Sequence, residues 1–283
     1  MKDGNVARTR GSRLGRVSAS AVAVTALAIA GCAAGMVSAA PAAVARPAAA
    51  AASTARTVTT ARTVTTRATA AAAYTPPKRN LSLGSKGSDV KALQRRLSAL
   101  KYYPGAINGD FGTDTQAAVW AFQEINGITD TGTVGPATKR ALVHPRSYKS
   151  PYYRGKRATR VEVDQALEVL VLYQNNRIML ISHVSSGGGY YYDCGSGGCA
   201  RAVTPNGTYN TTAYIHGWVT VPLGRMYNSV FFIGRMYAIH GDTYVPKGPV
   251  SHGCVRVPMD VAAFFHKMVK APGTQVRVYG KPQ

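Results

Sequence analysis

Residues 160–187 read RVEVDQALEVLVLYQNNRIMLISHVSSG. Apolar residues here alternate with polar ones or run together. The stretch therefore holds two or three strands, and Asn175–Asn176 suits a hairpin turn. Further strands are expected in VFFIGRMYAIHG (230–241) and TQVRVYG (274–280), and a short helix in PMDVAAFFHKMV (258–269). Pro205–Asn206–Gly207 and Lys247–Gly248–Pro249 supply turns. From about Val161 to Gly280 the chain should be mostly β, a sandwich or an open barrel.

Upstream the period is helical. SDVKALQRRLSALKY starts at Ser88, the expected N-cap, with Val90, Leu93, Leu97 and Leu100 on one face. A turn-rich YPGAINGDFG follows. TDTQAAVWAFQEING forms a second helix with Ala118, Phe122 and Ile125 inward and Gly127 closing it. Pro136 opens a third. A three-helix unit of about 60 residues is near the lower limit for an independent core. The segment Leu81–Leu142 carries G-x-x-G-x-x-V-x-x-L-Q, then N-G-x-F-G-x-x-T-x-x-A-V-x-x-F-Q, then G-x-x-G-x-x-T-x-x-x-L. Along its whole length it resembles the peptidoglycan-binding type 1 domain, which implies a wall-binding module without chemistry of its own.

The chain has 283 residues and an excess of 34 Lys and Arg over 12 Asp and Glu. From Lys78 onward there are still 25 basic and 11 acidic residues. Such a surface is drawn to polyanions. A nucleic-acid partner is not expected, because no basic helix with interleaved aromatics occurs. Residues 1–45 read as an export signal: Lys2, Arg8, Arg10, Arg13 and Arg16 precede a long Ala-rich apolar run. IAGC, ending at Cys32, resembles a lipoprotein processing box, whereas the longer run suits cleavage after Ala39 or Ala45. Membrane contact is expected only through that signal or a lipid anchor. Residues 46–79 are an Ala/Thr-rich linker with ARTVTT written twice. The expected limits are 80–144 for the helical module, 145–159 for a basic linker and 160–280 for the β domain.

Four cysteines are present. Cys194 and Cys199 lie four residues apart in a glycine-rich loop, which in an exported protein is most simply a disulfide-closed loop. A redox couple or a metal pair is the alternative. Cys254 is left over within IHGDTYVPKGPVSHGCVRVP (239–258). Three readings exist for it. With His240 and His252 it would make a zinc site, but the tight ligand pairs of such sites are missing. A buried inert thiol is the second. The third is a thiolate nucleophile with a histidine base, where Gly241 and Gly253 allow close approach of a substrate.

At these residues the chain resembles the L,D-transpeptidase catalytic domain, through IHG and SHGCVR in the pattern H-x(n)-[ST]-H-G-C-x-[NR]. TPNGTY, GRMYNSVFF and VEVDQALEVLVL support the likeness. It implies Cys254 as nucleophile and His240 as base. The Gly241 carbonyl, or less strongly Asp242, would hold the imidazole, and the amides of Gly253 and Cys254 would bind the oxyanion. His252 would raise the thiolate population. Ser251, Arg256 and Tyr227 would contact substrate, Arg256 through a carboxylate. Neither a cofactor nor a metal is implied, and a monomer acting on peptidoglycan outside the cytoplasm is expected. The implied activity forms 3→3 cross-links through a thioester. Its alternatives are an L,D-carboxypeptidase using the same thioester and a non-catalytic wall-binding protein. Two departures stand out: the 14-residue interval from His240 to Cys254 is short, and Arg256 stands where other members carry Asn.

Overall fold

The computed structural model describes residues 74–152, 159–193 and 198–281. The signal region with Cys32, most of the Ala/Thr linker, residues 153–158 and Cys194 lie outside them. In chain order the helices are α1 (Ser88–Ala99), α2 (Thr113–Asn126) and α3 (Pro136–Val143). Then come β1 (Arg160–Asp164), β2 (Val169–Gln174), β3 (Arg177–His183), β4 (Tyr191–Asp193), β5 (Cys199–Arg201), β6 (Gly207–Asn210) and β7 (Ala213–Val221). The chain closes with β8 (Gly224–Ile233), β9 (Tyr237–Asp242), β10 (Val255–Pro258), α4 (Met259–Met268) and β11 (Gln275–Tyr279). None of the described helices is long and apolar enough to cross a membrane.

Two sheets make the β domain. One has the order β3-β2-β1-β11-β6, the other β10-β9-β8-β7, and β4 pairs with β5 as a separate ribbon. Asn175 and Asn176 both take positive φ, 50° and 61°, at the β2–β3 hairpin. Left-handed residues at both turn positions match the twist of the flanking strands. The main core lies between the sheets. Val161, Val163, Leu170, Leu172 and Leu180 face Val230, Phe232, Ile239, Val255 and Val257, and Val261, Ala262 and Phe265 of α4 close it.

The alternate residues of β2, namely Val169, Val171 and Tyr173, enter a second cluster with Leu93, Leu97, Val119 and Phe122 of the helices. Strand β2 is thus covered on both faces, which is why VLVLY reads as an apolar run instead of an alternation. The joint is also stitched by backbone: Ile181 N–H donates to the Lys101 carbonyl at 2.8 Å. The rings of Tyr103 and Phe264 meet at 4.9 Å. The helical module is therefore packed onto the five-stranded sheet.

One local expectation is corrected. The N-cap of α1 is Gly87, at φ 120°, with Ser88 as the first helical residue. A left-handed entry favours glycine over serine, and Asp89 Oδ1 accepts from the Val90 amide at 2.9 Å.

Candidate active site

Strands β9 and β10 run parallel, with Ile239 opposite Val255 and His240 opposite Arg256. Side chains alternate across a strand. Ile239, Val255 and Val257 face the core, so His240, Arg256 and, one step earlier, Cys254 face the other way. Cys254 is half-buried there against Met226, Phe231 and Ala238. Cys254 immediately precedes β10, and Ala238, whose amide meets its sulfur, lies two residues before His240 on β9.

His240 is 4 % exposed. Its Nδ1 lies 3.0 Å from the Gly241 carbonyl. A carbonyl only accepts, so Nδ1 carries the proton and Nε2 keeps its lone pair. Burial lowers the imidazole pKa despite that carbonyl. Burial likewise raises the Cys254 pKa, although the Ala238 amide and the Arg256 charge favour the thiolate. Near neutrality, then, Cys254 rests as a thiol and His240 as a neutral imidazole. Cys254 Sγ approaches the Met236 carbonyl at 3.8 Å.

The turn before Cys254 is built from buried hydrogen bonds. Ser251, 1 % exposed, donates to the Cys254 carbonyl and accepts from the Gly253 amide at 3.0 Å. Thr204 Oγ1 donates to the Gly253 carbonyl at 2.7 Å and accepts from the Gly187 amide at 2.9 Å. The Ser251 amide donates to Ser186 O and its carbonyl accepts from Gly188 N–H, both at 2.9 Å. Gly253 sits at φ +136°, and a Cβ there would fall 2.7 Å from both the Val203 carbonyl and the Tyr237 ring. Only glycine fits.

Several expected site residues have partners within the protein. The Gly253 amide donates to the Ser251 hydroxyl. Ser251 is enclosed within the turn. Arg256 pairs with Asp242 at 3.2 Å and reaches the Tyr244 carbonyl at 3.5 Å, so this guanidinium acts on the protein's own loop. Asp242 is thus paired with Arg256, and its charge also favours the protonated form of His240. Tyr227 pairs with Gly241, and a Cβ on Gly241 would meet Ala262, Met259 and the Tyr227 ring. Tyr227 therefore faces α4, opposite Cys254. His252 stands edge-on to Tyr192 at 4.8 Å and Tyr190 at 5.4 Å. Burial and Arg256 both lower its pKa, so it brings no positive charge to the thiol near neutrality.

Cys199 is exposed and has no disulfide partner among the described residues; it starts β5 and pairs with Asp193 at the end of β4. Its expected disulfide partner, Cys194, lies outside the described residues. Among the described residues no group of three His, Cys, Asp or Glu side chains is placed to hold a metal ion. Sequence reasoning missed Thr204, Ser185, Ser186 and Glu168, which brace the turn. Glu168 accepts from the Ser186 amide at 2.7 Å and from its hydroxyl at 2.5 Å. The run SHVSSGGG (182–189) was the available signal: small polar residues beside glycines that need tertiary partners.

Comparison with known proteins agrees with both halves. Residues 158–278 match the L,D-transpeptidase catalytic domain and residues 86–142 a putative peptidoglycan binding domain. The crystal structure of an L,D-transpeptidase from Xylanimonas cellulosilytica superposes with a TM-score of 0.65 at 35 % identity, covering 72 % of this chain and 100 % of that one. A zinc D-Ala-D-Ala carboxypeptidase of Streptomyces albus G is 46 % identical over 63 residues, which are 20 % of this chain and 24 % of that protein. The spore cortex-lytic enzyme of Bacillus subtilis is 43 % identical over 72 residues, 25 % of this chain and 22 % of that protein. The chain thus spans less than a quarter of the length of these two curated relatives.

Proposed function

This chain belongs to the L,D-transpeptidase family, with a peptidoglycan-binding domain ahead of its catalytic domain, and on that premise we propose that it cross-links peptidoglycan stems by cysteine acyl transfer. Cys254 Sγ attacks the carbonyl of the third residue of a tetrapeptide stem, and its proton passes to His240 Nε2. The tetrahedral intermediate collapses, the C–N bond to the terminal D-Ala breaks, and His240 returns the proton to the departing amine. A thioester remains. The side-chain amine of a diamino acid on a neighbouring stem then attacks it. His240 takes the amine's proton and passes it to the departing thiolate. A 3→3 cross-link has formed and the enzyme is regenerated.

The observation that carries this reading is the His240–Gly241 hydrogen bond, which leaves Nε2 of a neutral imidazole free to accept a proton. With Gly253 engaged, the Cys254 amide is the oxyanion donor we assign. We assign domain limits of 80–144 and 160–280. We further propose export by residues 1–45, with a basic surface that holds the protein in an anionic wall.

The test is muropeptide analysis of isolated sacculi incubated with the protein, with and without added amine acceptor. Wild type yields 3→3 dimers and free D-Ala, and Cys254→Ala yields neither. Dimers formed by Cys254→Ala sink the proposal, and tripeptide without dimers even in excess acceptor assigns hydrolysis instead.

A further inference from the structure

Residues 243–250 form the connection that carries the chain from the His240 strand toward Cys254, and they hold no helix or strand. So short a connection between parallel strands has little internal structure to fix it. Its supports come from elsewhere. Lys247 Nζ meets Asp130 Oδ1 of the helical module at 2.8 Å. Burial works against the Asp130 charge, but Lys247 and the neighbouring Glu124 carboxyl hold its pKa below the ordinary value. His183 Nε2 donates to the Pro246 carbonyl at 2.9 Å. His183 is 2 % exposed, and its ring packs on Trp120 of α2 at 5.2 Å. Thr113, Gln116 and Trp120 of α2 share a cavity of about 400 Å³ with Thr243, Tyr244 and Val245 of the loop.

The loop in turn reaches the site. Asp242, at its start, holds Arg256, and the Tyr244 carbonyl accepts from the same guanidinium. Arg256 is the lateral neighbour of His240, and its charge acts on both His240 and Cys254. We propose that the wall-binding module is a working wall of the catalytic site: Asp130 and Trp120 are positioning residues that, through Lys247, His183 and Pro246, hold the 243–250 loop and with it Arg256 beside the Cys254–His240 pair. The module then does more than tether the enzyme. Whatever polymer it binds is coupled, through this joint, to the geometry of the nucleophile.

The proposal rests on the acyl-transfer reading, so its test measures acylation directly. Full-length protein is treated with a carbapenem, and adduct formation is followed by intact mass spectrometry over a range of concentrations. This separates half-saturation from the limiting rate. Asp130→Asn, which keeps the side-chain shape, should lower the limiting rate about threefold with half-saturation little changed, as fits a partly exposed ion pair. Trp120→Ala should lower it on the order of tenfold. Exchanging the charges, Asp130→Lys with Lys247→Asp, should restore the rate to within about twofold, which a merely structural loss would not do. Variants equal to wild type, or slow variants that the exchange leaves slow, overturn this proposal alone. A wild type that is not acylated overturns the acyl-transfer reading as well.

Discussion

The two ends of the chain between His240 and Cys254 are held by different physics. The Cys254 end is fixed by neutral, buried hydrogen bonds within the β domain, to Thr204, Ser185, Ser186 and Gly188. The His240 end is fixed by charges and rings, and the helical module takes part in two of the three interactions: Lys247 with Asp130, Arg256 with Asp242, and His183 on Trp120. Lys247 is 52 % exposed in its pair, so water competes for it. Buried neutral bonds have no such competitor, and losing one partner leaves the other unsatisfied. Cys254 is thus held by its own domain, while the 243–250 loop is also held by the helical module.

The comparison breaks hardest at Gly253. Gly253→Ala forces a Cβ into the Val203 carbonyl at positive φ and should cost roughly 4–5 kcal/mol in urea unfolding, with acylation lost. Thr204→Val keeps the shape but strands the Gly253 carbonyl and the Gly187 amide. It should cost roughly 3–4 kcal/mol. Either variant behaving as wild type would show that the buried network does not hold Cys254.

Glu168 sharpens the same end. Burial raises its pKa to about 7 from an ordinary 4.5. A carboxyl with a raised folded pKa stabilises fully below pH 4.5, and that contribution disappears as pH rises through 7. The loss between pH 5 and 8 should be about 2.5 kcal/mol. Glu168→Gln should flatten that slope in paired unfolding curves. An unchanged slope would mean that Glu168 is already ionised in the fold.

At the other end, Lys247→Gln should cost under about 1 kcal/mol of stability. Its effect should fall on acylation rate instead, and a loss of stability larger than that of Thr204→Val would invert the comparison.

Much of this was legible beforehand, for local reasons. Asn175–Asn176 names a hairpin because few residues accept two left-handed positions. Cys254 and His240 stand out because SHGCVR and IHG carry the sequence pattern on which the family resemblance rests. What stayed hidden depends on partners distant in sequence. Nothing in SHG says that the Ser251 hydroxyl takes the Gly253 amide. Tyr227 reads as a site residue until the irregular register after it, where Asn228 takes φ 48°, fixes its face toward α4. Trp120 lies in a helix whose inward residues were read as Ala118, Phe122 and Ile125, and its packing on His183 requires the docked module. Arg256 resembles a substrate clamp because its partner, Asp242, lies across a loop whose path the sequence does not give.

The central claim is that Cys254 is the acyl-accepting nucleophile, and peptide mapping after incubation of the full-length protein with a tetrapeptide stem tests it most directly. The account predicts one adduct, on the peptide containing Cys254, accompanied by free D-Ala and absent from Cys254→Ala, with the exposed Cys199 unmodified. An adduct on Cys199, or D-Ala release that persists in Cys254→Ala, would contradict it.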